Sequence, residues 1–160
     1  IIENSISTIF VFLVPNYYPM VKYKVFIVSL LVTISFSLSA QTVIHTKDKW
    51  GEKLFYVSQG TMYQKDKWGT KLYYYDGQTI YQKDKWGVKL YYMDGNTVRI
   101  KDKWGEKLYY FDGNAIKMKD KWGTQLYYID GNVLKQKDKW GSPIYYFEGE
   151  VQWWMIVCII

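Results

Sequence analysis

The sequence predicts an all-β protein: an antiparallel meander of 18-residue β-hairpin repeats, six copies in all, forming a curled sheet or an open barrel. Three observations carry this expectation. Lys-Asp-Lys-Trp-Gly recurs at Lys47–Gly51, Lys65–Gly69, Lys83–Gly87, Lys101–Gly105, Lys119–Gly123 and Lys137–Gly141, always 18 residues on and without an insertion. A fixed period of that size marks an array of small units, each packed mainly on its neighbours. Every unit also holds a run such as Leu108-Tyr109-Tyr110-Phe111, whose residues favour a pleated, half-buried surface. Asp112-Gly113 follows that run at once. Asp-Gly between two such runs signals a hairpin, and a type I′ turn with positive φ at both central residues is expected there. A sheet of about twelve strands does not stay flat but curls, splits or stacks. A two-sided β-solenoid with one coil per repeat is the alternative.

Taken in order, the chain opens with residues 1–19, which begin with Ile, contain the apolar stretch Ile9–Pro15, and read as upstream read-through before Met20. Residues 20–40 read as a signal peptide. Lys22 and Lys24 form its positive start, Val25–Phe36 its apolar middle, and Ser37-Leu38-Ser39-Ala40 its small-residue cleavage site. Cleavage after Ala40, or alternatively at Ser39, would send a chain starting near Gln41 to the cell surface or the medium. An uncleaved segment would instead serve as the only membrane contact. The β-repeat domain is expected over residues 41–154. Val43–Thr46 matches Thr79–Gln82, so the array opens with half a unit. Repeat one is irregular at Ser58-Gln59-Gly60, and repeats two to five are the most regular. In those, Ala115–Met118 is the return strand and Lys119–Gly123 the opposite turn, with Gly123 expected in the left-handed region and Asp120 bonding nearby backbone. Repeat six drifts at Pro143, Glu148 and Gln152, as terminal units of a stack do. Residues 155–160 are an apolar tail, too short for a bilayer span of about 20 residues. A packed terminal strand and a frame-shifted artefact are both open readings of it.

Composition narrows the chemistry. Aromatic residues make up 20% of the chain, with 17 Tyr and 8 Trp, and the net charge of +6 comes from lysine, since Arg99 is the sole arginine. That balance favours anionic partners, although lysines alternate with aspartates in every repeat. A single cysteine, Cys158, excludes an internal disulfide framework and has no nucleophile's setting around it, and a single histidine, His45, is too few for a His-based metal site. Asp48, Asp66, Asp84, Asp102, Asp120 and Asp138 each lie between two lysines, a setting for turns rather than for general acids or calcium. No catalytic residue, metal ligand or cofactor is expected, and the protein is not expected to be an enzyme. The candidate ligand-binding residues are Trp50, Trp68, Trp86, Trp104, Trp122 and Trp140, with Tyr73, Tyr91, Tyr109 and Tyr127. They would form a stacking platform for sugars or cationic head groups. Alternatively these rings are the core and ladder pairs of a thin sheet.

The unit Trp104-Gly105, Leu108-Tyr109-Tyr110-Phe111-Asp112-Gly113, Ile116, Trp122 resembles the short aromatic hairpin repeats of bacterial choline-binding and glucan-binding cell-wall modules. The resemblance covers residues 47–154. This unit is shorter, carries Leu108 where those repeats usually have Trp, and lacks their Gly-Trp junction. It implies hairpins whose Trp and Tyr form ligand boxes. The expected function is therefore a secreted or surface-bound, non-catalytic module that binds an envelope polysaccharide or another anionic polymer through Trp, Tyr and Lys. The alternative is a structural repeat protein that self-associates through its sheet edges and takes no small ligand. The export signal argues against nucleic acid as the partner.

Overall fold

The computed structural model describes residues 41–160. The read-through and signal segments assigned to residues 1–40 lie outside the described residues.

Each repeat becomes a hairpin for the reasons its composition suggests. Strand β1 is Thr42–Thr46, followed by β2 (Lys53–Ser58), β3 (Thr61–Gln64), β4 (Lys71–Tyr75), β5 (Thr79–Gln82) and β6 (Lys89–Asp94). Then come β7 (Thr97–Ile100), β8 (Lys107–Asp112), β9 (Ala115–Met118), β10 (Gln125–Asp130), β11 (Val133–Gln136) and β12 (Pro143–Glu148). A short helix, α1 (Trp153–Ile159), ends the chain. All sequential neighbours pair antiparallel, and β1 also pairs with β12, so the meander closes into a barrel. The solenoid alternative is thereby overturned, and the curled sheet has gone on to full closure.

Closure explains the two irregular ends of the array. Ile44 opposes Phe147 and His45 opposes Tyr146, in the register by which Ile116 opposes Phe111 and Lys117 opposes Tyr110. β1 is thus the return strand of the sixth hairpin. The sixth unit drifts after Glu148 because it needs no return strand of its own, not because it caps an open stack. A closed barrel also leaves no strand edge of the sheet unpaired among the described residues.

Strand alternation sorts the side chains. Three inward residues per hairpin build the core: Tyr109, Phe111 and Ile116 in one unit, and Tyr145, Phe147 and Ile44 in the hairpin that closes the ring. Roughly eight strands make a barrel that its own side chains can fill, so twelve leave a lumen that must be plugged. Helix α1 is the plug. Trp154, Met155, Ile156 and Val157 are at most 3% exposed and join the barrel core. Trp153 stacks on Phe111 with ring centroids 4.4 Å apart, and Trp154 stacks on Tyr75 at 5.2 Å. The Trp154 indole N–H, which burial would otherwise orphan, donates to Gln152 Oε1 at 2.7 Å. In this structure the apolar tail is a helix and not a strand, and the boundary expected between residues 154 and 155 falls inside α1.

The turns also differ in detail from expectation. In the third to fifth hairpins the two-residue loop is Gly-Asn, with Asp112 still paired to Ala115. Gly113 has φ +59° and Asn114 is not in the positive region, the sign pattern of a type II′ rather than a type I′ turn. Only the first hairpin, with Gln59 at +51° and Gly60 at +71°, has positive φ at both centres.

Candidate binding rim

In a closed antiparallel meander every second connection emerges at the same end, so all six Lys-Asp-Lys-Trp-Gly turns share one rim of the barrel. Each turn is built alike. The chain leaves β9 through Lys119, whose φ of +62° lets the Asp120 N–H donate back to the Met118 carbonyl at 2.7 Å. That is a γ-turn of the strained sign. Asp120 then turns its carboxylate forward, and Oδ1 accepts the Trp122 N–H at 2.9 Å. Gly123 donates its N–H to the Asp120 carbonyl at 3.0 Å and packs so tightly that a Cβ would overlap the Met118 carbonyl oxygen. The expected Asp role holds. The left-handed residue, however, is the first lysine of the motif and not the glycine, which is needed for its missing side chain.

This geometry throws the indole outward. Trp50, Trp68, Trp86, Trp104, Trp122 and Trp140 are 84–89% exposed, so none of them is core. The preceding lysine of each motif lies over the ring, with Nζ 4.8–5.7 Å from the centroid. Such contacts contribute about 0.5–1 kcal/mol at exposed sites. One face of each indole is thus covered by an ammonium group.

The tyrosines divide by parity. Tyr73, Tyr91, Tyr109 and Tyr127, expected beside the tryptophans, point into the barrel and pack on its core, so the structure does not bring them onto the indole surface. Burial pushes the Tyr73 phenol above its ordinary pKa, helped by neighbouring Cys158 and Tyr91; burial does the same for Tyr109, beside Tyr127 and Tyr91. Tyr73 thus lies beside Cys158, in the last turn of α1. The sequence neighbours of these four tyrosines face outward instead. Tyr74, with Thr61 and Lys71, meets Lys83, Asp84, Lys85 and Trp86 around a groove of about 300 Å³. The 18-residue period puts the same residue types at Thr79, Lys89, Tyr92, Lys101, Asp102, Lys103 and Trp104. The outward tyrosines were missed because the Tyr-Tyr pair does not say which ring faces the core. The inward-facing Phe111 and Ile116 of the same hairpin were the available signal.

Charge is unevenly distributed along the barrel axis. The rim carries the twelve lysines and six aspartates of the motifs, plus Lys53, Lys71, Lys89, Lys107, Glu52 and Glu106, which leaves it strongly positive. Asp76, Asp94, Asp112, Asp130, Glu148 and Glu150 lie toward the opposite end. Four of these are committed to outward-facing partners on the neighbouring strand: Asp94 to Arg99, Asp112 to Lys117, Asp130 to Lys135 and Glu148 to His45.

Among the described residues no group of three or more His, Cys, Asp or Glu could hold a metal ion, and no helix is long and apolar enough to cross a membrane. The strands, of four to six residues, fall well short of the roughly 9–11 that a membrane-spanning strand needs. Comparison with protein-family models, curated proteins and solved structures finds no match.

Proposed function

We propose that this protein is a non-catalytic binding module of the cell surface, whose Trp–Lys rim engages an anionic envelope glycan. The observation that carries the proposal is the set of six indoles held 84–89% exposed at one end of a barrel. Exposed apolar surface concentrated in one place marks an interaction site. Each turn, moreover, keeps a lysine at positive φ, from +56° to +70°. Backbone strain of this kind clusters at functional sites. The open face of each ring suits the apolar face of a sugar, and the surrounding ammonium groups suit its carboxylates or phosphates. The groove between Tyr74 and Trp86 is at the small end of ligand sites, the size for one unit of a chain rather than a whole ligand. The surface location rests on the signal-like composition of residues 20–40.

The test is binding to a panel of acidic and neutral cell-wall polysaccharides, with anionic phospholipid vesicles alongside. Trp86→Ala combined with Trp104→Ala should weaken binding to the acidic polymers by at least about tenfold, since each stacked ring is worth ~1 kcal/mol or more. The melting temperature should barely change. Unfolding of the double variant would make the rings structural. Binding to the vesicles alone would make the rim a membrane-docking surface and overturn the glycan reading.

A further inference from the structure

The outer wall of the barrel carries a girdle of paired side chains. Each strand that leaves the rim contributes one outward tyrosine, and the return strand of the same hairpin sets a second residue directly opposite it. In the third to fifth hairpins that residue is a cation: Arg99 opposes Tyr92, Lys117 opposes Tyr110 and Lys135 opposes Tyr128. In the closing hairpin it is His45, opposite Tyr146. In the first two hairpins it is another tyrosine. Tyr63 faces Tyr56 with ring centroids 6.2 Å apart, and Tyr81 faces Tyr74 at 6.3 Å. Between hairpins, Thr61 opposes Tyr74 and Thr79 opposes Tyr92. Tyr63 and Tyr81 lie two residues further along the same strands, and so are the diagonal neighbours of Tyr74 and Tyr92. Diagonal pairs stand about 7–8 Å apart, within reach of aromatic side chains. Tyr56, Tyr63, Tyr74, Tyr81 and Tyr92 thus form one unbroken arc across β2 to β6.

Beyond Tyr92 the girdle changes character. Arg99 donates to Asp94 Oδ2 and to the Gly105 carbonyl, both at 3.3 Å. Lys117 donates to Asp112 Oδ2 at 2.6 Å and to the Lys121 carbonyl at 3.0 Å, and Lys135 repeats this with Asp130 and Lys139 at 2.6 and 2.9 Å. Each of these side chains is spent on tying its hairpin's carboxylate to the next rim turn, and each separates two tyrosines. In the second hairpin Tyr81 ties Asp76 instead, its hydroxyl donating to Oδ2 at 3.0 Å, and keeps a ring on the wall. The middle ring of the arc, Tyr74, also lines the groove of about 300 Å³ that Trp86 shares. Lys71, Lys83 and Lys85 line that groove too, and Asp84, its one acid, already accepts the Trp86 N–H at 2.9 Å. We infer that the arc is a second stacking surface for the glycan: a chain seated on the rim at Trp86 leaves through this groove and runs over the tyrosines of the first three hairpins. This rests on the glycan reading of the rim and adds a preferred sector to it. Tyrosine suits the task, because its ring covers the apolar face of a sugar while its hydroxyl meets the polar edge. The rim lysines hold the polymer's charges, and the arc reads its uncharged faces.

The experiment exchanges residues between hairpins, so that each variant copies a pair the fold already contains. Tyr81→Lys sets beside Asp76 the ion pair that Lys117 makes with Asp112, and breaks the arc. Arg99→Tyr sets beside Asp94 the pair that Tyr81 makes with Asp76, and extends the arc to Tyr110. Affinity of the full chain for the acidic cell-wall polysaccharides of the panel is measured at one ionic strength. Tyr81→Lys should weaken binding at least about threefold although it adds a positive charge. Arg99→Tyr should strengthen it by a similar factor although it removes one. Charge alone predicts the opposite order. That opposite order, or wild-type affinity in both variants, overturns the arc. Binding that is lost in Trp86→Ala with Trp104→Ala, yet unmoved by both exchanges, strikes the arc and leaves the rim reading standing. A wild type that binds none of the acidic polymers strikes both.

Discussion

At the scale of single residues, the rim turn depends on a glycine with no room for a side chain and a lysine bent into the left-handed region. The two kinds of glycine in this protein can therefore be told apart by experiment. Gly113, at φ +59°, has nothing within 4 Å of where a Cβ would stand. Gly113→Ala should cost about 1 kcal/mol, the ordinary cost of that backbone conformation in an L-residue. Gly105 has an unexceptional backbone, but a Cβ there would overlap the Ile100 carbonyl oxygen. Gly105→Ala should cost more, about 3 kcal/mol, because the turn itself must move. Chemical denaturation of the two variants checks the ranking, and equal costs would mean that the rim turns are pliable. The sequence announced both turns through Asp-Gly and Trp-Gly. It did not reveal which residue in each would carry the positive φ, because that depends on how the loop length divides between strands. The indoles were legible as a repeated set, and their exposure was not, since a Trp beside a turn serves equally as a lid on the core.

At the scale of elements, the hairpins were readable and the helix was not. Alternation along Leu108–Phe111 and the turn residues that follow settle a strand pair locally. Trp153–Ile159 gives no such help, because a short apolar run fits a buried strand or a buried helix equally well. What decides is the space available. β12 already has its second partner in β1, so the remaining chain turns through Gly149 and enters the lumen as a helix, which satisfies its own backbone where no strand is free to pair. The helix should be as important to stability as the sheet. Ile156 is fully buried at its centre, and Ile156→Ala should cost about 2–5 kcal/mol. Val88→Ala, at an exposed rim position, is the matched control and should stay within about 0.5 kcal/mol. Urea titration measures both, and a mild Ile156→Ala would show that the lumen does not depend on its plug.

At the scale of the whole molecule, the repeats form a ring whose contents constrain it. An open array of repeats gains or loses a member at little cost to the others, because each unit answers only to its neighbours. Here the circumference is fixed by what it encloses. Removing residues 83–100 would delete two strands and leave in-frame turns on both sides. Ten strands would then have to fit around Trp154, Met155, Ile156 and Val157. We expect that shortened chain to lose its single cooperative unfolding transition, whereas an open meander would keep five-sixths of its structure; calorimetry distinguishes the two. A change in the number of 18-residue units would change the circumference of the barrel, and α1 would be the gauge against which each copy number is measured. Only a chain with the right count can close around it.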